Sequence, residues 1–209
     1  QSIAPNFLFD HLPREVDLDS KYNIDSPSED LGDYYLIRQE IDIINARNII
    51  PGSSIQIAHA QKHPSIIRYL FPDPISFYAW KLYSMQMIID NGFGNQGAEY
   101  FIPKLKEEIA IICQSLIEEK YYSGDINRHD ALEYIQRQSF LTHSEAEENM
   151  VNSELNIFSS TQAFVGMMEI NYLLNQYKID TSEKFEILHF HNTLLENGII
   201  PFHLLKQLN

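Results

Sequence analysis

The stretch Arg47-Asn48-Ile49-Ile50-Pro51-Gly52-Ser53-Ser54-Ile55-Gln56 interrupts a pattern that is helical on both sides. Upstream, from Tyr34 to about Ile49, apolar residues recur at Leu36, Ile37, Ile41, Ile44 and Ile49, the stripe of an amphipathic helix. Downstream, a second helix is predicted from about Ser53 to His63, stopped by Pro64. Proline removes a backbone donor and glycine loosens the backbone, so Pro51-Gly52 predicts a helix-break-helix corner. His59 and His63 stand four residues apart on the second helix, where both could face one metal ion. No glutamate follows His59 and no third ligand is near in sequence, so two solvated or hydrogen-bonded histidines are the simpler reading.

Working outward, the remainder of the chain is punctuated helix. Phe71-Pro72-Asp73-Pro74 breaks the pattern before a helix from about Ile75 to Asp90 that carries Trp80. Asn91 to Gly97 is a glycine-rich connection without the lysine or the strand-to-helix setting of a phosphate loop. A long helix follows from about Pro103 to Tyr121, with Leu105, Ile109, Ile112 and Leu116 as one stripe and Pro103 in its first turn. Cys113 lies on it as a packed thiol. Asn127 caps the next helix, and Ser144 with Glu147 reads as a capping box for another. A helix from about Ser160 to Tyr177 precedes a last one, which Gly198 ends in a left-handed cap before Pro201 starts a final turn. The expectation is an all-α bundle of about eight helices: an irregular N-terminal arm over 1–33, rich in proline and acid, then one all-helical domain over 34–209.

Composition narrows the function classes. In 209 residues, 15 Lys and Arg stand against 29 Asp and Glu, a net charge of −14. Nucleic acid and anionic membranes both want clustered positive charge, so neither is an expected partner. No run of 18 apolar residues is present, and no membrane span is expected. One cysteine cannot form an internal disulfide. No basic-then-apolar leader opens the sequence, which begins at Gln1. The compartment stays unassigned, with export left open.

The opening stretch resembles H-E-x-x-P-G-H-H-L-Q, the signature of a mostly bacterial family of presumed zinc peptidases catalogued as domain of unknown function 885. Pro51, Gly52 and Gln56 match, and Ile55 is a conservative match. The chemistry-bearing positions do not: Arg47 and Asn48 replace His and Glu, and Ser53 and Ser54 replace the paired His. A second signature, E-G-W-A-L-Y-A-E, aligned on Tyr78-Ala79, sets Asp73 and Trp80 at its two glutamates. A third, R-L-V-V-D-x-G-x-H, sets Gln114 at the arginine and Tyr122 at the histidine. The tail from Phe185 to Leu205 is the fullest match, and His191 falls on a family histidine, expected as a buried structural residue bonded to backbone.

The resemblance implies a peptidase-like frame whose site has degenerated at Arg47, Asn48, Ser53, Ser54, Asp73, Trp80, Gln114 and Tyr122. A catalytic zinc needs three protein ligands and an open position; arginine has no lone pair to offer, and an amide is no general base. The expected function is therefore a catalytically inactive, metallopeptidase-like binding or accessory module for a protein or peptide, with no cofactor and no metal. The alternative is a hydrolase rebuilt around His59, His63 and Asp73. Two structural expectations follow. Arg47 should pair with Asp73 in place of the metal. The former cleft face, still apolar at Ile49, Ile50, Phe77 and Trp80, should self-associate, bind a partner, or be covered by the arm from Phe7 to Leu12.

Overall fold

The computed structural model describes residues 38–93 and 98–205. The expected arm over 1–33 lies outside the described residues. Eight helices of ten residues or more, two single α-helical turns and a 3-10 turn over Ser182–Lys184 make up the regular structure of the described residues, which contain no strand. The α-helices are α1 (Arg38–Asn48), α2 (Ser53–Lys62), the turn α3 (Ile67–Leu70), α4 (Pro74–Asp90), α5 (Ala98–Ser123), α6 (Arg128–Ser139), α7 (His143–Leu155), α8 (Ser159–Thr181), α9 (Ile187–Glu196) and the turn α10 (Phe202–Leu205). The fold is all-α, as the periodicity indicates.

The longest packing contact is between α4 and α8, with α5 laid along α8 and α1 wedged against α4 and α5. Three apolar clusters fill the spaces between them. One gathers Trp80 and Tyr83 with Ile170, Phe190, Leu194 and Leu205, another Ile43, Leu82, Met85 and Ile89, and a third joins α5, α6 and α7 through Ile117, Ile135 and Met150. Met85, Ile89, Ile135, Met150 and Ile170 are completely buried, each contributing about 1.5–3 kcal/mol of transfer free energy. Cys113 is buried, and burial pushes its thiol up.

Helix ends follow local chemistry. Asp73 caps α4 by accepting from the Ser76 N–H at 2.8 Å, with Pro74 in the first turn. Asn127 caps α6 through the Asp130 N–H. Gly198 adopts φ +70 and ends α9. Three expectations are corrected. The capping box of α7 is Thr142 with Glu145, two residues before the Ser144–Glu147 pair. Leu141, just ahead of the cap, buries in the same cluster as Ala146, an apolar staple that sets the register. Second, α5 begins at Ala98, so Pro103 sits in its second turn, removing one intrahelical hydrogen bond. Third, the Leu105–Ile112–Leu116 stripe of α5 is exposed, 36–58% open to solvent, because α8 and α6 pack on the face bearing Ala110, Cys113, Gln114, Ile117 and Glu118.

Gly166 permits the α4–α8 contact. A Cβ there would lie 2.4 Å from the Ile75 carbonyl oxygen and 2.8 Å from the Ala79 Cβ, inside any real contact distance. Gly166→Ala must therefore push the two central helices apart. Chemical denaturation should show a loss of about 1–3 kcal/mol, despite alanine's higher helix propensity. An unchanged or raised midpoint would contradict this packing.

Candidate functional site

The corner between α1 and α2 is closed by the residues that stand at the signature positions. The hydroxyls of Ser53 and Ser54 both donate to the Asn48 carbonyl, at 3.0 and 2.9 Å, satisfying an acceptor that the end of α1 leaves open. Gly52 is buried, and a Cβ on it would fall 2.0 Å from the Arg47 carbonyl oxygen and 2.5 Å from that of Ala46. Only glycine fits. The Trp80 indole, 2% exposed, donates its Nε1–H toward the Pro51 and Gly52 carbonyls at 2.9 and 3.2 Å. Gln56 Nε2 donates to the Ser76 carbonyl at 3.2 Å, a second tie between α2 and α4. Trp80 thereby connects the Pro51-Gly52 corner to α4.

Arg47 does not pair with Asp73. Its guanidinium meets Glu107 on α5, both side chains about one-quarter to one-third exposed. The Asp73 carboxylate instead caps its own helix, and its N–H donates to the Ile199 carbonyl at 3.0 Å. The reason is local: an Asp immediately before Pro and three residues ahead of Ser76 is held by the first-turn Ser76 N–H of the helix it opens. Lys81, one residue beyond Trp80, lies over the faces of Phe77 and Tyr78 at 5.7 and 5.8 Å. Burial of its ammonium, with the nearby Arg47 charge second, brings its pKa down to about 7, although the residue as a whole keeps some exposure.

On α5, Gln114, Glu118 and Tyr122 are spaced by four and share one face. Gln114 Nε2 donates to the Asn149 carbonyl and the Ser153 hydroxyl, both at 2.5 Å, and the Tyr122 hydroxyl donates to the Ser153 carbonyl. Glu118, 2% exposed, accepts from the N–H groups of Ser160 and Thr161 at the start of α8, and from the Ser153 and Thr161 hydroxyls. A buried carboxylate on a helix N-terminus with four donors is fully satisfied and ties α5, α7 and α8 together. Sequence reading passed over Glu118 and Glu107. Glu118 stood at the aspartate of the third signature, the one signal that could have found it.

His191 bonds to the Tyr83 hydroxyl at 2.9 Å rather than to backbone, with its ring edge-on to Trp80. Burial lowers the His191 pKa, and burial followed by Asp90 pushes Tyr83 up to about 12, so both are neutral near pH 7. His63 Nδ1 accepts from the Ser65 N–H at 2.9 Å. Among the described residues no group of three or more His, Cys, Asp or Glu is placed to hold a metal ion. Of the apolar positions expected on an open cleft face, Trp80 is buried, Ile49 and Phe77 are partly covered, and Ile50 is exposed.

The model of the family described as bacterial protein of unknown function (DUF885) matches residues 30–208. The chain belongs to this family. A presumed lipoprotein of unknown function from Shewanella oneidensis superposes with a TM-score of 0.73 at 24% identity, over 82% of this chain and 31% of that one. A presumed lipoprotein from Colwellia psychrerythraea gives 0.76 at 20% identity, over 81% and 29%. These likenesses show a shared fold, and the chain spans about a third of the length of either structure. No curated protein matches by sequence.

Three predictions test this geometry. Trp80→Phe keeps an aromatic ring but leaves the Pro51 carbonyl without its donor, while the Gly52 carbonyl still accepts from the Ile55 and Gln56 N–H groups, and should cost about 1–3 kcal/mol in denaturant unfolding. In double-mutant cycles, Arg47 should couple to Glu107 and show no coupling to Asp73; coupling with Asp73 would contradict the pairing described. The third concerns pH. The unfolded His191 takes up a proton near 6.5 and the folded one only below that. Its contribution to stability is thus present above pH 6.5 and is lost as pH falls through the lowered value. His191→Phe should flatten the stability curve as pH falls below about 6.5. An equal slope in both proteins would refute it.

Proposed function

We propose that this family member is a catalytically inactive, peptidase-like binding or accessory module that recognises a protein or peptide partner. The observation that carries the reading is the corner itself. Arg47, Asn48, Ser53, Ser54 and Trp80, the positions the resemblance assigns to ligands and base, are occupied by an ion pair and by hydrogen bonds within the fold. Arg47, paired with Glu107, and Lys81, only partly charged near pH 7, lie close together there, and neither offers a ligand to a divalent metal while protonated. Asp73, Gln114 and Tyr122 are likewise engaged in capping and in helix ties. In this reading 34–209 acts as one helical domain behind an arm over 1–33.

A polypeptide partner is favoured by the apolar stripe of α5, where Ile102, Leu105, Ile112 and Leu116 are open to solvent over four turns. The solved relatives carry about two-thirds of their length outside the matched region, and chain of that kind, or a second copy, suits such a stripe. Their description as presumed lipoproteins favours export. No described helix is long and apolar enough to cross a membrane. The alternative, a hydrolase rebuilt around His59, His63 and Asp73, has less support, since Asp73 and His63 already hold backbone N–H groups.

Incubation with unfolded protein substrates, with and without added zinc, should give no hydrolysis above background. Turnover that disappears in His59→Ala or Asp73→Ala would establish the alternative. For the binding half, the intact chain should either exceed monomer mass in light scattering or bind an apolar dye, and Leu105→Lys with Leu116→Lys should abolish whichever is seen. A monomer that binds no dye would overturn it.

A further inference from the structure

Gln56 has a second polar atom that the fold leaves unanswered. The residue is 7% exposed, its Nε2 is bonded to Ser76, and its Oε1 is buried without a hydrogen-bond partner among the described residues. An unsatisfied interior carbonyl costs of the order of 1–3 kcal/mol, so such an atom ordinarily marks a ligand. Turning the amide over does not help, because it would set oxygen against the Ser76 carbonyl oxygen. The Trp80 indole N–H, on a ring that lines the same cavity, is directed to Pro51 and Gly52. The Ser76 hydroxyl donates to the Ile200 carbonyl at 2.7 Å, which leaves its oxygen free to accept.

Gln56, Ser76 and Trp80 line one side of an interior cavity, and the tail closes it with Gly198, Ile200 and Phe202. The cavity offers about 10 Å³ to the centre of a water molecule, which is room for one. The ligand must be this small, must donate hydrogen bonds, and must be uncharged among walls that are otherwise apolar.

We infer that this cavity binds a single structural water, which donates one hydrogen bond to Gln56 Oε1 and the other to Ser76 Oγ. The water joins three segments distant in sequence: α2 after the Pro-Gly corner, the first turn of α4, and the tail from Gly198 to Leu205. It makes Gln56 a three-way connector. Nε2 holds the α4 backbone, and Oε1 holds the tail through the water and the Ser76 hydroxyl.

A crystal structure of the full chain at a resolution that orders interior waters tests this, together with water-oxygen relaxation dispersion in solution. The expected result is one water about 3 Å from Gln56 Oε1 and one long-lived water in solution that Gln56→Met loses. Should Gln56→Met fail to fold, Ser76→Ala removes one of the two partners while keeping Gln56, and the water should lose order or occupancy. A dry cavity, an Oε1 bonded to a protein donor, or a long-lived water count unchanged in the variant that folds would overturn the assignment.

Discussion

The indole N–H of Trp80, aimed at the Pro51 and Gly52 carbonyls, is the constraint on which this fold's arrangement rests. At the Pro-Gly corner the Gly52 carbonyl also accepts from the Ile55 and Gln56 N–H groups of α2, whereas the Pro51 carbonyl takes its hydrogen bond from Trp80. In an interior position such an acceptor is costly unless a donor reaches it. Trp80 supplies a donor on a rigid, buried ring, so one residue both fills the space between α2, α4 and α9 and fastens the corner to α4. The resemblance places a carboxylate at this position and histidines across from it, a pairing that metal coordination would join. Here a neutral donor and neutral acceptors do the same structural task. These atoms are engaged within the fold.

A parallel case lies on α5. Gln114, Glu118 and Tyr122 face α7 and the start of α8, and their partners are backbone groups or hydroxyls of those helices. Removing water from a carboxylate is expensive, and four donors including two helix-start N–H groups offset it for Glu118. Both sets of signature positions thus serve as ties between helices. The cores around them contribute most of the apolar stabilisation, while the ties fix which helix ends meet.

The sequence carried much of this. Helix number, the corner at Pro51-Gly52, the Asn127 cap and the left-handed Gly198 all follow from local chemistry, where the signal and the structure lie within a turn of each other. What escaped reading was long-range choice of partner. Arg47 was expected to seek Asp73, yet Asp73 had a nearer claim in its own helix N-terminus, and Glu107 came from sixty residues downstream. His191 found the Tyr83 hydroxyl across more than a hundred residues in place of a backbone group. The α5 stripe shows the other limit: periodicity reveals that a face is apolar without saying whether the fold covers it. The α7 cap slipped by two residues because two S/T-x-x-E patterns overlap, and the apolar Leu141 decided between them.

Trp80 is the only tryptophan in the sequence, so a nitrogen-15 labelled sample gives one indole cross-peak and no assignment ambiguity. The exchange of that indole proton with heavy water measures the clamp directly. A donor that fastens the corner from a buried ring should exchange only when the whole fold opens, as slowly as the most protected amides of α4 and α8 and with the same denaturant dependence. Exchange within minutes under conditions that leave those amides protected would show that the corner opens on its own, and that Trp80 does not hold the two signature segments together.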